Sequence, residues 1–138
     1  MPTFVVLDSE AVSALAAPRE RAVAARRAQA VLSEAARRNG LVRIPSAVLT
    51  EVYRGSRRDA GVDRVVGRGN RVVALDHRIA RLAGALLGRD DLDSCHAVDA
   101  SVIATAINLG GAVVVTGDTR DLEFLARDHH NVIVHALA

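Results

Sequence analysis

Four acidic residues fall where a parallel α/β chain gathers its ligand groups: Asp8, Glu51, Asp99 and Asp118. Asp8 closes the apolar run Thr3-Phe4-Val5-Val6-Leu7, and Asp118 stands just past Ala112-Val113-Val114-Val115-Thr116. Glu51 and Asp99 lie inside helical patterns between them. In open α/β sheets, ligands bind beyond the carboxyl ends of the strands, where the chain order switches. Carboxylates brought together there repel one another unless protons or cations neutralise them, and hard divalent metals suit such oxygen sets. The pattern points to a metal-dependent site and to chemistry on phosphate.

Asp99 is the most informative of the four. Val102, Ile103 and Ala106, three, four and seven residues on, place it on an apolar helical face. A carboxylate on a buried stripe is costly unless it is paired. A buried ion pair with Arg is the alternative to a metal ligand. For Asp8 and Asp118, at strand-to-helix junctions, the competing reading is helix capping. Glu51, by pattern alone, reads as a solvated surface residue. Asp121, three residues past Asp118, either offers another oxygen to a cation or water, or compensates a helix dipole. Cys95 beside His96 does not make a dyad, because neighbouring helical positions point to different faces. His129-His130 reads as a polar loop.

The elements that would hold these groups alternate. Residues 3–7, 41–44, 72–75, 112–116 and 132–135 read as short buried strands. Helical patterns cover 10–17, 19–38, 45–54, 77–87 and 119–128. Another starts with Ser94 as its N-cap and stops at Gly110-Gly111. Residues 56–70 are Arg-rich with weak helical character and end in a Gly-Arg-Gly-Asn turn. This alternation predicts one domain over 1–138, a three-layer α/β/α sandwich with a central parallel sheet of four to five strands.

The chain has 138 residues, enough for one domain with a core of its own, and half of them are hydrophobic. Aromatics are 2% of the chain, so single-stranded nucleic acid would not be held mainly by base stacking. The single Cys95 cannot form an internal disulfide, which favours a reducing compartment. The opening residues lack the basic start and apolar length of a signal peptide, and no stretch is long enough to span a membrane. A cytoplasmic location is expected. Net charge is +2, and the chain contains no Lys, so all 18 strongly basic residues are Arg. That removes the P-loop and the receiver or phosphatase sites that pair acids with a Lys.

Taken together, four segments resemble the PIN-domain ribonucleases, most closely the VapC-type toxins of toxin–antitoxin pairs. They are Val5-Val6-Leu7-Asp8-Ser9, Thr50-Glu51-Val52-Tyr53-Arg54-Gly55, Asp99-Ala100-Ser101-Val102-Ile103-Ala104-Thr105-Ala106, and Thr116-Gly117-Asp118 followed by Asp121-Leu122-Glu123-Phe124-Leu125. Each motif is weak alone; the order and spacing of all four are specific. The resemblance implies an endoribonuclease dependent on Mg²⁺ or Mn²⁺, with Asp8, Glu51, Asp99 and Asp118 as its acidic pocket. Ser9 and Thr116 match hydroxyl positions that orient carboxylates or water. The resemblance also implies in-line attack of water on the phosphodiester, a homodimer, and a cognate antitoxin that blocks the pocket. Glu10 departs from the family pattern, which has a small polar or apolar residue there. The Asp90–Asp93 loop is not diagnostic.

An acidic pocket repels RNA, so binding must draw on other residues. Arg54, Arg57, Arg58, Arg64, Arg68 and Arg71 cluster in the middle of the chain and suit phosphate contacts. A solvated surface or a protein interface is the equal alternative. Arg26, Arg27, Arg37 and Arg38 read as surface charge. Two competing functions stand beside the toxin: a catalytically silent PIN-like module that binds RNA or protein, and a DNA-directed or structure-specific nuclease.

Overall fold

The computed structural model describes residues 3–67 and 71–137. Among these residues there are five strands: β1 (Phe4–Leu7), β2 (Leu41–Pro45), β3 (Val72–Val73), β4 (Ala112–Thr116) and β5 (Val132–Ala136). The helices are α1 (Ser9–Ala16), α2 (Ala22–Arg37), α3 (Ser46–Val52), α4 (Asp59–Val66), α5 (His77–Arg89), α6 (Ala97–Asn108) and α7 (Thr119–Ala126). A 3₁₀ turn at Ser94–His96 leads into α6.

All strand pairs are parallel, in the order β3-β2-β1-β4-β5. The chain steps outward from β1 to β3 on one side, then returns to β4 and β5 on the other. α1 and α2 pack on each other and on β1, while α7 packs on β5, the arrangement that right-handed crossovers running in opposite directions give. α6 packs against α7 and the sheet. The sheet therefore has helices on both faces, as its apolar strands require.

The register sets up the site. Leu7 pairs with Val115, so Asp8 and Thr116 leave the sheet side by side at the switch between β1 and β4. The Asp8 amide donates to the Val115 carbonyl at 3.2 Å. Behind this point the core is built from Val, Leu, Ile and Ala, with Val5, Val6, Leu7, Ile44, Val114 and Val115 all at 1% exposure or less. α6 is buried from Ala100 through Ala106. Its two buried hydroxyls, Ser101 and Thr105, donate back to the Ala97 and Ser101 carbonyls at 2.8 and 2.7 Å. Among the described residues no buried side-chain polar atom lacks a hydrogen-bond partner. On the other face, a side chain at Gly61 would meet the Ala16 carbonyl, so glycine there lets α4 lie close against α1.

Several boundaries differ from the sequence reading. α2 starts at Ala22, because residues 18–20 form a turn after α1. α3 ends at Val52, and Tyr53 is already extended, so Arg54 lies beyond the helix. β3 has two residues, and Leu75 beyond it is 45% exposed. Asp93 caps the 3₁₀ turn ahead of α6, its carboxylate accepting from the Cys95 amide, Ser94 is inside the turn, and α6 itself starts after His96. Within the weak-helical stretch 56–70, α4 covers Asp59–Val66, and residues 68–70 of the expected turn lie outside the described residues.

The sheet ends in unequal edges. β3 is very short, whereas β5 is a five-residue edge strand whose Ile133 is 59% exposed.

Candidate metal centre

Asp8 sits where β1 hands over to α1. Its Oδ1 accepts from the Ala11 amide at 2.9 Å, capping the helix. The residue is only 8% exposed. Asp118 does the same for α7, accepting from the Arg120 amide at 3.1 Å. Capping was the rival explanation for both residues, and both are caps. It does not compete with a site, since a carboxylate has lone pairs to spare after one such bond. Both side chains also line one cleft of about 330 Å³ at the switch point.

Glu51, Asp99 and Asp121 line the same cleft. Glu51 is exposed, as its pattern suggests, yet the Ser9 hydroxyl holds its Oε1 in a short hydrogen bond. Asp99 reaches the cleft from the first turn of α6, and Asp121 from the first turn of α7. Thr116, at the end of β4, accepts the Asp118 amide at 3.0 Å and lies against Asp8, whose carboxylate it stabilises. Val98 and Val102 form an apolar wall.

Glu10 also lines the cleft and pairs with Arg21 at 3.0 Å. It adds charge to the pocket mouth while a basic partner holds it. Six acidic residues thus line a cleft to which, among the described residues, one arginine, Arg54, contributes. Arg54 Nη1 is anchored on the Thr50 and Tyr53 carbonyls at 3.0 and 2.7 Å. Arg57 and Arg58 are not brought into this cleft. They line a neighbouring one with Arg21 and Arg64, and Arg58 pairs with Glu20 at 3.3 Å. Arg71 lines a third cleft with Arg43 and Arg64, and Arg68 lies outside the described residues.

The crowding of acids shows in their protonation. Burial, opposed by the Thr116 and Ala11 hydrogen bonds and aided by Glu10 and Asp99, pushes the Asp8 carboxyl up to about 6. Asp99 is also raised, first by burial and then by Asp121 and Glu51. His96 opposes the rise at Asp99 only in part, and no basic group contributes at Asp8. A hard divalent cation is the ligand such an oxygen set fits.

One group near the cleft escaped the sequence reading. His96 has a ring nitrogen that lies with carboxylate oxygens of Asp99 and Asp121 inside a 4.8 Å triangle. The signal was its spacing, three residues before Asp99, which places both on one helical side. Cys95, weighed beside it, is exposed, and its thiol is pushed up by the hydrogen bond to Asp93. It is no activated nucleophile.

A search among curated proteins finds no match. Among solved structures, the chain is similar to one in the crystal structure of VapBC2 from Rickettsia felis bound to a DNA fragment from their promoter. That match has 17% identity and a TM-score of 0.68, over 97% of this chain and 98% of the other. A second similar chain is in VapBC-1 from nontypeable Haemophilus influenzae, with 14% identity and a TM-score of 0.65, over 98% of each chain. At these identities the likeness establishes the fold. The family model of the PIN domain matches residues 5–128, which spans both strand ends, α6 and the cleft they enclose. The chain belongs to the PIN-domain family.

Proposed function

We propose that this protein is a metal-dependent endoribonuclease and the toxin of a toxin–antitoxin pair. The observation that carries the reading is the convergence of Asp8, Glu51, Asp99 and Asp118 on one cleft at the switch point, with a single arginine among its described lining residues. Asp8, Asp99, Asp118, Glu51 and Asp121 would hold Mg²⁺ or Mn²⁺. Such a cation supplies Lewis acidity and lowers the pKa of the attacking water.

The remaining work belongs to the chain's own residues. Ser9 orients Glu51, and Thr116 steadies both Asp8 and the start of α7. Arg54 brings the cleft's guanidinium to the scissile phosphate, its Nη1 already fixed on two carbonyls. Arg57 and Arg58, beside the cleft, contact phosphates further along the strand. The acids exclude a bare polyanion from the pocket, so RNA enters productively with the cation in place. Fold similarity to chains of VapBC complexes supports a cognate antitoxin as partner. A homodimer in the cytoplasm completes the proposal.

The test is to incubate the antitoxin-free protein with total RNA in Mg²⁺, Mn²⁺ or EDTA, beside Asp99→Asn. Discrete cuts that disappear with EDTA and with the substitution are the expected result. Intact RNA from a folded protein that binds no divalent cation would leave a non-catalytic binding module instead.

A further inference from the structure

We propose that His96 is a nitrogen ligand to the cation held by Asp99 and Asp121, and that it biases the pocket toward Mn²⁺ over Mg²⁺. The inference rests on the metal-dependent reading above and deepens it. His96 ends the 3₁₀ turn, Asp99 follows in the first turn of α6, and Asp121 comes from the first turn of α7. Three short backbone elements thus aim an imidazole and two carboxylates at one point, with all three ligand atoms within 4.8 Å of one another.

At that spacing His96 feels the Asp99 charge without a direct ion pair. Among the described residues, the His96 ring forms no salt bridge with any carboxylate. Its nitrogen therefore stands beyond 4.0 Å from the Asp99 and Asp121 oxygens while staying within 4.8 Å. Atoms bound to one ion at about 2.1 Å lie roughly 3–4 Å apart, so small side-chain rotations suffice to close the set. Asp93, the nearby acid, is engaged as the cap of the 3₁₀ turn through the Cys95 amide at 2.9 Å.

The donor type gives the selectivity. Mg²⁺ prefers oxygen ligands and keeps its waters, whereas Mn²⁺, the first of the transition-metal series, gains more from a nitrogen donor than Mg²⁺ does. An all-carboxylate pocket would bind either ion. Adding His96 favours Mn²⁺.

Calorimetric titrations of the antitoxin-free protein with Mn²⁺ and with Mg²⁺ test this, comparing wild type with His96→Ala, His96→Gln and Asp99→Asn. Both His96 variants should lose about tenfold or more in Mn²⁺ affinity while Mg²⁺ affinity moves by less than about twofold. In wild type, trace Mn²⁺ should broaden the His96 ring resonances before those of His77, His129, His130 and His135. This second measurement needs no variant to fold. Equal losses for both ions, unchanged Mn²⁺ binding, or a His96 ring untouched by Mn²⁺ would overturn the assignment. If Asp99→Asn then still abolishes binding of both ions, the metal-dependent reading stands without His96. A folded wild type that binds neither ion would sink both.

Discussion

Asp8 Oδ1 accepts from the Ala11 amide while the same carboxylate lines the cleft, so starting α1 and supplying a ligand fall to one side chain. Its carboxyl, ordinarily near 3.8, is raised to about 6. The folded chain therefore holds that proton more tightly than the unfolded chain does. The resulting stability is complete below about pH 3.8 and is lost as pH rises through about 6. Asp8→Asn keeps an oxygen for the cap and removes the charge. In EDTA at pH 8 this variant should melt above wild type, by a free energy of order 1–3 kcal/mol, and the gap should close below pH 4. Saturating Mg²⁺ or Mn²⁺ should reverse the order, because the cation stabilises the carboxylate form. Melting curves followed by circular dichroism decide both points. At this scale, Asp8, Asp99 and Asp118 are legible in the sequence, since strand ends and an apolar helical stripe mark them. His96 is not, because its meaning depends on Asp121 arriving from another helix. Arg57 and Arg58 are placed differently from Arg54. They are close to Arg54 in the chain, but the backbone turns away after Tyr53 and carries them to another cleft.

Between elements, the acidic loop that looked undiagnostic is a clasp. Asp90, whose side chain is 2% exposed, accepts from Arg89 at 2.9 Å and from Arg127 at 2.5 Å. It joins the end of α5 to the end of α7. Arg127 also stacks over Phe124, its charge 4.2 Å from the ring centre, and Arg89 reaches Asp128 at 3.2 Å. The two arginines, Arg127 first, hold the Asp90 carboxyl well below the usual carboxylate range. Its contribution to stability is present above the ordinary carboxylate pKa near 3.8 and is lost as pH falls further toward the lowered value. Asp90→Asn should lower the melting temperature at pH 7, with the difference from wild type shrinking as pH falls below 4. Thermal melts across that range measure it. Local patterns foretell the strands and most helices because each is a short apolar run or stripe ended by Gly, Pro or Asp. The clasp stays hidden because Asp90 and Arg127 are distant in sequence. The start of α6 is misread because Asp93 and Ser94 are both good caps, and only the backbone of the turn distinguishes them.

At the scale of the whole molecule, one topological choice places the chemistry. Running β1-β2-β3 one way and β4-β5 the other opens the crevice between β1 and β4, and the register delivers Asp8 and Thr116 to its floor together. The same order leaves β5 at the rim of the sheet as Val132-Ile133-Val134-His135-Ala136, with neither proline nor a permanent charge to guard it. Such an edge offers free backbone groups and an exposed Ile133 to any other extended chain. Ile133→Lys should reduce light scattering by concentrated protein and leave its melting temperature within a few degrees of wild type. Unchanged scattering would show that the rim is already protected. A parallel sheet forms slowly because its pairings are distant in sequence, and β5, the last of the five strands to be made, docks only after the others exist. Solubility of the finished chain would then be decided at β5, whose residues take no part in the acidic cleft.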